Sequence, residues 1–148
     1  MSRVQLALNV SDIDEAVAFY SKMFGASPAK RRDGYANFAI AEPPLKLVLI
    51  ENKGAETRLN HLGVEVSSTD DVVDAQRRFS QADLETSRED GVECCYALQD
   101  KVWVSDPDGA SWEFYTVLAD ANTFSKPDSA SQDAACCSTA GAGASGCC

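Results

Sequence analysis

The chain has 148 residues, enough for one domain with a real core or two small fused modules, and its 45% hydrophobic and 24% charged content is ordinary for a globular protein. A net charge of −10 argues against nucleic acid or an anionic membrane as partner, since both need a basic face. No apolar run approaches the roughly 20 residues that span a bilayer, and Met1-Ser-Arg-Val-Gln5 lacks a signal-peptide stretch, so the expectation is a cytoplasmic protein with mostly reduced thiols.

Val4-Gln-Leu-Ala-Leu-Asn-Val10 alternates and reads as a strand. Ser11 or Asp12 then caps a helix, with Asp14 or Glu15 three residues on. Ile13, Ala16, Val17, Tyr20, Met23 and Phe24 form its apolar face, and Gly25 ends it. Strands are expected over about Ser27–Arg32, Tyr35–Ala41 and Leu45–Glu51, with Asp33-Gly34 as a hairpin turn and Glu42-Pro-Pro44 as a break. The polar segment Asn52–Arg58 reads as a linker.

The plan then repeats. Leu59-Asn-His-Leu-Gly-Val-Glu-Val66 is a strand with Leu62, Val64 and Val66 on one face and His61, Gly63 and Glu65 on the other. Ser67-Ser-Thr-Asp-Asp71 starts a second helix, with Val72, Val73, Gln76 and Phe79 on its apolar face and Arg77 and Arg78 outward. Leu84–Glu89, Lys101–Ser105 and Ser111–Val117 read as strands. Asp90-Gly91 is expected to turn the chain towards a polar loop holding Cys94-Cys95-Tyr96, and Asp106-Pro-Asp-Gly109 is a further turn. Each half therefore runs strand–helix–strand–strand–strand, and two such halves pairing their open sheets would bury a common interior and leave a cleft. The expected fold is α+β: two βαβββ modules, about 3–52 and 59–118, forming a curved mixed sheet in a domain over 1–118. Residues 119–148 change to Ala, Ser and Gly with two cysteine pairs, and a flexible Cys-rich tail is expected there.

Superposing the two opening strands places Gln5 on His61, the only histidine in the chain. Glu113 alternates with Trp112 and Phe114 on the final strand, and an inward carboxylate there needs a partner. A lone His is more often hydrogen-bonded than a ligand, and a strand Glu usually faces water; the repeat symmetry is what raises Gln5, His61 and Glu113 above that background. One His, one carboxylate and one amide oxygen suit Fe(II), Mn(II) or Ni(II) better than a closed zinc site. Tyr96, Trp103 and Tyr115 either wall the cleft or are ordinary core.

All six cysteines are adjacent pairs: Cys94–Cys95, Cys136–Cys137 and Cys147–Cys148. Three vicinal dithiols point to soft-ion chemistry rather than staples.

The two modules, a candidate ligand on each first strand, and Glu113 in Ser-Trp-Glu-Phe-Tyr after Asp-Pro-Asp-Gly resemble the vicinal oxygen chelate superfamily of glyoxalase I, bleomycin-resistance proteins and extradiol dioxygenases. The resemblance covers about residues 3–117. With Cys94-Cys95 and the Cys-rich tail, it narrows to the ArsI family of C–As lyases and related cadmium-induced proteins. That resemblance implies an Fe(II) enzyme using O₂ to cleave the carbon–arsenic bond of trivalent organoarsenicals such as methylarsonous acid and release arsenite. It implies Gln5, His61 and Glu113 as catalytic metal ligands, and Cys94 and Cys95 as substrate-binding residues. Gln5 departs from the two-histidine pattern of commoner dioxygenases.

Competing expectations are a glyoxalase-type isomerase, which needs a fourth ligand that Leu47-Val-Leu-Ile50 does not supply, and a ring-cleaving dioxygenase, which has no use for the thiols. A non-enzymatic metalloid- or cadmium-binding protein would use all three cysteine pairs and dispense with Glu113. A drug-sequestering dimer needs neither. Superfamily members assemble their halves within one chain or across a homodimer, and both arrangements fit the sequence.

Overall fold

A computed structural model describes residues 1–124, so Cys136, Cys137, Cys147, Cys148 and the rest of the expected tail beyond that point lie outside the described residues. The expected element order occurs twice. The first half is β1 (Arg3–Val10), α1 (Ile13–Phe24), β2 (Lys30–Arg32), β3 (Tyr35–Ile40) and β4 (Leu45–Glu51). The second is β5 (Leu59–Glu65), α2 (Thr69–Gln81), β6 (Thr86–Cys94), β7 (Ala97–Ser105) and β8 (Ser111–Asp120).

The strands form one curled mixed sheet in the order β2-β3-β4-β1-β5-β8-β7-β6. Each module's first strand pairs in parallel with its last, β1 with β4 and β5 with β8. The modules join through the antiparallel pair β1–β5, so both halves of the sheet come from one chain.

Both helices pack on the same side of the sheet. Asp12 caps α1, its carboxylate accepting from the Glu15 amide at 2.9 Å, and Gly25 closes it at φ 62°. Ile13 packs with Phe38, Leu47 and Leu49 beneath α1. Burying each of these large side chains contributes roughly 1.5–3 kcal/mol. Ser68 caps α2, whose Val72, Ala75 and Phe79 pack on Val102. Two expected face residues differ. Met23 is exposed, because it lies past the stripe that touches the sheet. Ala75 rather than Val73 or Gln76 is buried in α2.

The opposite, concave side holds the third cluster: Ala7, Tyr35, Val48, Ile50, Cys94, Cys95 and Trp103. Here the structure departs most from the expected boundaries. Asp90-Gly91 is not a turn. It is a bulge inside β6, where the register with β7 shifts and Gly91 takes φ 61°. The Asp100 carboxylate on β7 accepts the Gly91 amide proton at 2.8 Å and the Thr69 hydroxyl proton at 2.6 Å, which pins the bulge to the start of α2. The chain reverses instead at Cys95-Tyr96, between the paired Cys94 and Ala97. Strand β8 also runs on to Asp120, and residues 121–124 fold against that turn.

Candidate active site

Register decides what meets at the centre. In the β1–β5 pair, Gln5 lies opposite Gly63 and Ala7 opposite His61. The approximate two-fold relation between the modules therefore exchanges Gln5 with His61 and Ala7 with Gly63. The two long side chains sit diagonally on the concave face, with the two small residues clearing the space beside them. Glu113 on β8 pairs with Gly63 from the other side. Its counterpart in the first module is the residue paired with Ala7, and that is Val48, a buried apolar side chain. The symmetric site thus has three polar donors and an apolar fourth corner.

The three donors are buried, each 3% exposed or less, and close on one another. Gln5 Nε2 is 3.0 Å from His61 Nε2 and 2.6 Å from Glu113 Oε1, and His61 Nε2 is 3.2 Å from Glu113 Oε1. Donors bound about 2.1 Å from an octahedral ion stand about 3.0 Å apart along each edge of one face. The triangle has that size. A neutral imidazole, a carboxylate and an amide are also the donor types that Fe(II) and Mn(II) accept. Among the described residues no group of three His, Cys, Asp or Glu side chains could hold a metal ion, so such a site requires the Gln5 amide.

Surrounding hydrogen bonds fix the His61 ring. Its Nδ1 lies 2.8 Å from Asn60 Oδ1, which can only accept, so Nδ1 carries the proton and Nε2 presents a lone pair to the centre. Asn60 Nδ2 donates to Asn9 Oδ1 at 3.0 Å, and Asn9 Nδ2 donates to the Thr57 carbonyl at 3.0 Å. The Trp103 ring stands edge-on to the imidazole, with centroids 5.5 Å apart.

Glu113 has a second anchor. The Lys101 ammonium, fully buried, donates to Glu113 Oε2 at 3.1 Å, leaving Oε1 towards His61 and Gln5. Burial alone would push the Glu113 carboxyl up, but the Lys101 ammonium beside it outweighs this and holds the group well below the usual carboxylate range. Glu113 is therefore an anion at neutral pH.

Cys94 and Cys95 belong to the same interior. Both are buried in the cluster with Trp103 and Tyr35, and Cys95 and Glu113 both act on the Tyr35 phenol, whose acidity burial suppresses first and these groups suppress further. Cys95 (φ 58°) and Tyr96 (φ 61°) form the two central positions of the β6–β7 turn, both left-handed. This breaks the strand alternation that would send neighbouring side chains apart, and the two sulfurs lie 3.0 Å from each other. That separation is beyond the roughly 2.05 Å of an S–S bond. Cys94 is disulfide-bonded.

A left-handed non-glycine residue costs about 1–3 kcal/mol, and contacts from elsewhere hold this turn in place. The Cys95 amide donates to the Phe124 carbonyl at 2.6 Å, and Tyr96 to that of Thr123 at 3.1 Å. The Tyr96 carbonyl accepts from the Ala121 amide at 3.0 Å and Lys30 Nζ at 2.8 Å. The Phe124 ring packs on Tyr35 and Tyr96.

Sequence reasoning brings forward Gln5, His61, Glu113 and the cysteine pair, and the structure gathers the first three into one triangle. It misses Lys101, the Asn9–Asn60 relay and Tyr35. Lys101 carries a readable signal, since it shares an inward face with Trp103 in Lys-Val-Trp-Val. The Asn relay crosses between β1, β5 and the linker, and no spacing announces it.

Comparison with known proteins gives a consistent pattern. The family model for the glyoxalase/bleomycin resistance protein/dioxygenase superfamily matches residues 3–114. The chain is 56% identical over 147 residues to a trivalent organoarsenical cleaving enzyme from Thermomonospora curvata, covering 99% of this chain and 95% of that one. It is 61% identical over 124 residues to the cadmium-induced protein CadI of Mycobacterium tuberculosis, covering 84% of this chain and 82% of the relative. Among solved structures, the Mn(II)-bound glyoxalase from Novosphingobium aromaticivorans aligns with a TM-score of 0.58 at 22% identity, over 88% of this chain and 44% of that one. An extradiol ring-cleaving dioxygenase from B. fuscum aligns with a TM-score of 0.58 at 20% identity, over 81% and 34%. The chain spans less than half of either structure, and at these identities they establish the fold.

Proposed function

This chain belongs to the glyoxalase/bleomycin resistance protein/dioxygenase superfamily, and within it we propose that the protein cleaves the carbon–arsenic bond of trivalent organoarsenicals, releasing arsenite, with Fe(II) held by Gln5, His61 and Glu113 and O₂ as co-substrate. The observation that carries this reading is the shared interior: the two sulfurs, 3.0 Å apart, lie in the buried cluster whose Trp103 ring stands edge-on to His61 of the triangle. The relative from Thermomonospora curvata, named for cleavage of trivalent organoarsenicals, supports the substrate class.

Bound at the triangle, Fe(II) would supply the one-electron chemistry with O₂ that breaking a carbon–arsenic bond requires. The chain's own residues do the rest. Cys94 and Cys95 capture trivalent arsenic by replacing two of its hydroxyls, with loss of two waters, and leave the As–C bond intact. Both sulfurs must be thiols for this, so an external thiol reductant must first cleave the Cys94 disulfide by exchange, being oxidised to its own disulfide. Two-point capture fixes the substrate beside the centre and makes the reaction effectively intramolecular. Tyr35 and Trp103 exclude water from that interior. Lys101 keeps Glu113 ionised and turned inward, and Asn60 keeps the His61 lone pair aimed at the centre.

The apolar corner at Val48 argues against a four-ligand glyoxalase-type site. The second reading is thiol-based sequestration of a metalloid or cadmium, which similarity to cadmium-induced proteins favours. The two separate on Glu113→Ala: sequestration survives it, whereas arsenite release from methylarsonous acid is lost.

A further inference from the structure

Tyr115 is fully buried beside the triangle, and its hydroxyl faces two acceptors. Gln5 Oε1 is 2.5 Å away and Glu65 Oε2 is 2.9 Å away. A phenol has one proton and cannot serve both. Glu65 has other partners: Arg3 reaches both of its oxygens, at 3.1 and 3.2 Å, and Lys46 Nζ lies 3.3 Å from Oε2.

The Gln5 amide has two ways to lie in this setting. As it stands, Nε2 donates to His61 Nε2 and Glu113 Oε1, and the phenol proton goes to Gln5 Oε1. The phenol oxygen then meets the Glu65 carboxylate oxygen with no proton between them. Turned over, Gln5 Nε2 donates to the phenol oxygen and the phenol proton passes to Glu65, so every outer contact pairs a donor with an acceptor. The inner face then presents a carbonyl to a lone pair and a carboxylate. Three acceptors at about 3 Å are stable only around a cation.

We propose that Tyr115 and Glu65 are positioning residues that turn the Gln5 carbonyl onto the metal ion, and that the Gln5 amide reverses between the metal-free and metal-bound protein. The inference rests on the metal-site reading above. The outer pair favours the carbonyl-inward orientation, and the His61–Glu113 pair favours the nitrogen-inward one whenever no cation is present. Metal affinity therefore includes the balance between the two pairs. Outer hydrogen-bond partners of metal ligands are typically worth 10–100-fold in affinity.

The test uses the full-length protein and Mn(II), a hard ion that avoids thiols, followed by the loss of its free-ion EPR signal on titration. Tyr115→Phe keeps the ring against Lys46 Nζ, which lies 4.8 Å from its centroid, and removes only the hydroxyl. The expected result is a Kd about ten-fold weaker, since both orientations lose their bond to the phenol but the carbonyl-inward one alone also loses the phenol–Glu65 bond that favoured it. In a Gln5→Glu background, where both terminal oxygens are alike, the same change shifts Kd less than two-fold. A merely structural role would weaken metal-free and metal-bound protein equally and leave Kd unmoved. Glu65→Gln is the second variant: its amide donates to the phenol oxygen and sends the phenol proton to Gln5, so Kd weakens there as well, again only with Gln5 present. An unchanged Kd in both variants, or equal changes in both backgrounds, overturns the inference and leaves the metal site standing. A wild-type protein that takes up no Mn(II) overturns both.

Discussion

Gly63 is the residue on which Glu113 rests. The two pair across β5 and β8, and a Cβ on Gly63 would come within 3.0 Å of Glu113 Cγ and 3.2 Å of the Glu113 carbonyl oxygen. It would also stand 3.3 Å from Gln5 Cβ. The glycine is needed here for room rather than for backbone freedom, because two donor side chains close over it. Gly63→Ala is expected to destabilise the fold by about 1–3 kcal/mol through overpacking. It should also weaken Mn(II) binding by at least ten-fold. Denaturant unfolding and metal titration on the same preparation check this; wild-type affinity in Gly63→Ala would show that Glu113 and Gln5 do not share an ion.

Lys101 and Glu113 form a fully buried ion pair. Removing one partner from such a pair typically costs 3–5 kcal/mol, because the other is left charged without water. Lys101→Met is expected to lose about that much in urea unfolding at pH 7. A loss under 1 kcal/mol would mean that another group neutralises Glu113.

The same pair predicts a pH dependence with a definite sign. Glu113 has a folded pKa below its unfolded value of 4.5, so the unfolded chain binds the proton more readily. Its contribution to stability is present above about pH 4.5 and is lost as pH falls below it. The stability difference between the wild-type protein and Glu113→Gln should therefore shrink from pH 6 to pH 3. A difference that grows on acidification would contradict the pairing.

Much of this was legible in the sequence. The two-module repeat was visible because each half opens with an alternating strand and a capped helix, and those signals are local. Gln5, His61 and Glu113 were legible through symmetry and through one carboxylate among aromatics. The cysteine turn was not. Asp90-Gly91 carries the stronger turn chemistry, yet Asp100 converts it into a bulge, and the actual reversal uses Cys95 and Tyr96, neither of which favours φ near 60°. Contacts from residues 121–124 and Lys30 help to hold that conformation, and such contacts are invisible to local propensity. For the same reason Phe124, placed by composition in the tail, packs on Tyr35 and Tyr96.

That packing separates two truncations. A chain ending at Leu118 loses the bonds from Ala121, Thr123 and Phe124 to the cysteine turn, whereas one ending at Lys126 keeps them. The shorter chain should keep Mn(II) binding within a few-fold and lose most of its affinity for a trivalent arsenical. The longer one should retain both. Equal arsenical binding by the two would remove any role for residues 119–124 in forming the site.

The most direct measurement starts with the reduced full-length protein, loaded anaerobically with Fe(II) and given methylarsonous acid and then air, while arsenite release and O₂ uptake are followed. Expected is arsenite formation that requires both iron and O₂, is abolished in Cys94→Ser and in Cys95→Ser with Fe(II) binding largely intact, and is absent without prior reduction. Tight arsenic binding without turnover, unaffected by Glu113→Ala, would contradict cleavage and establish sequestration instead.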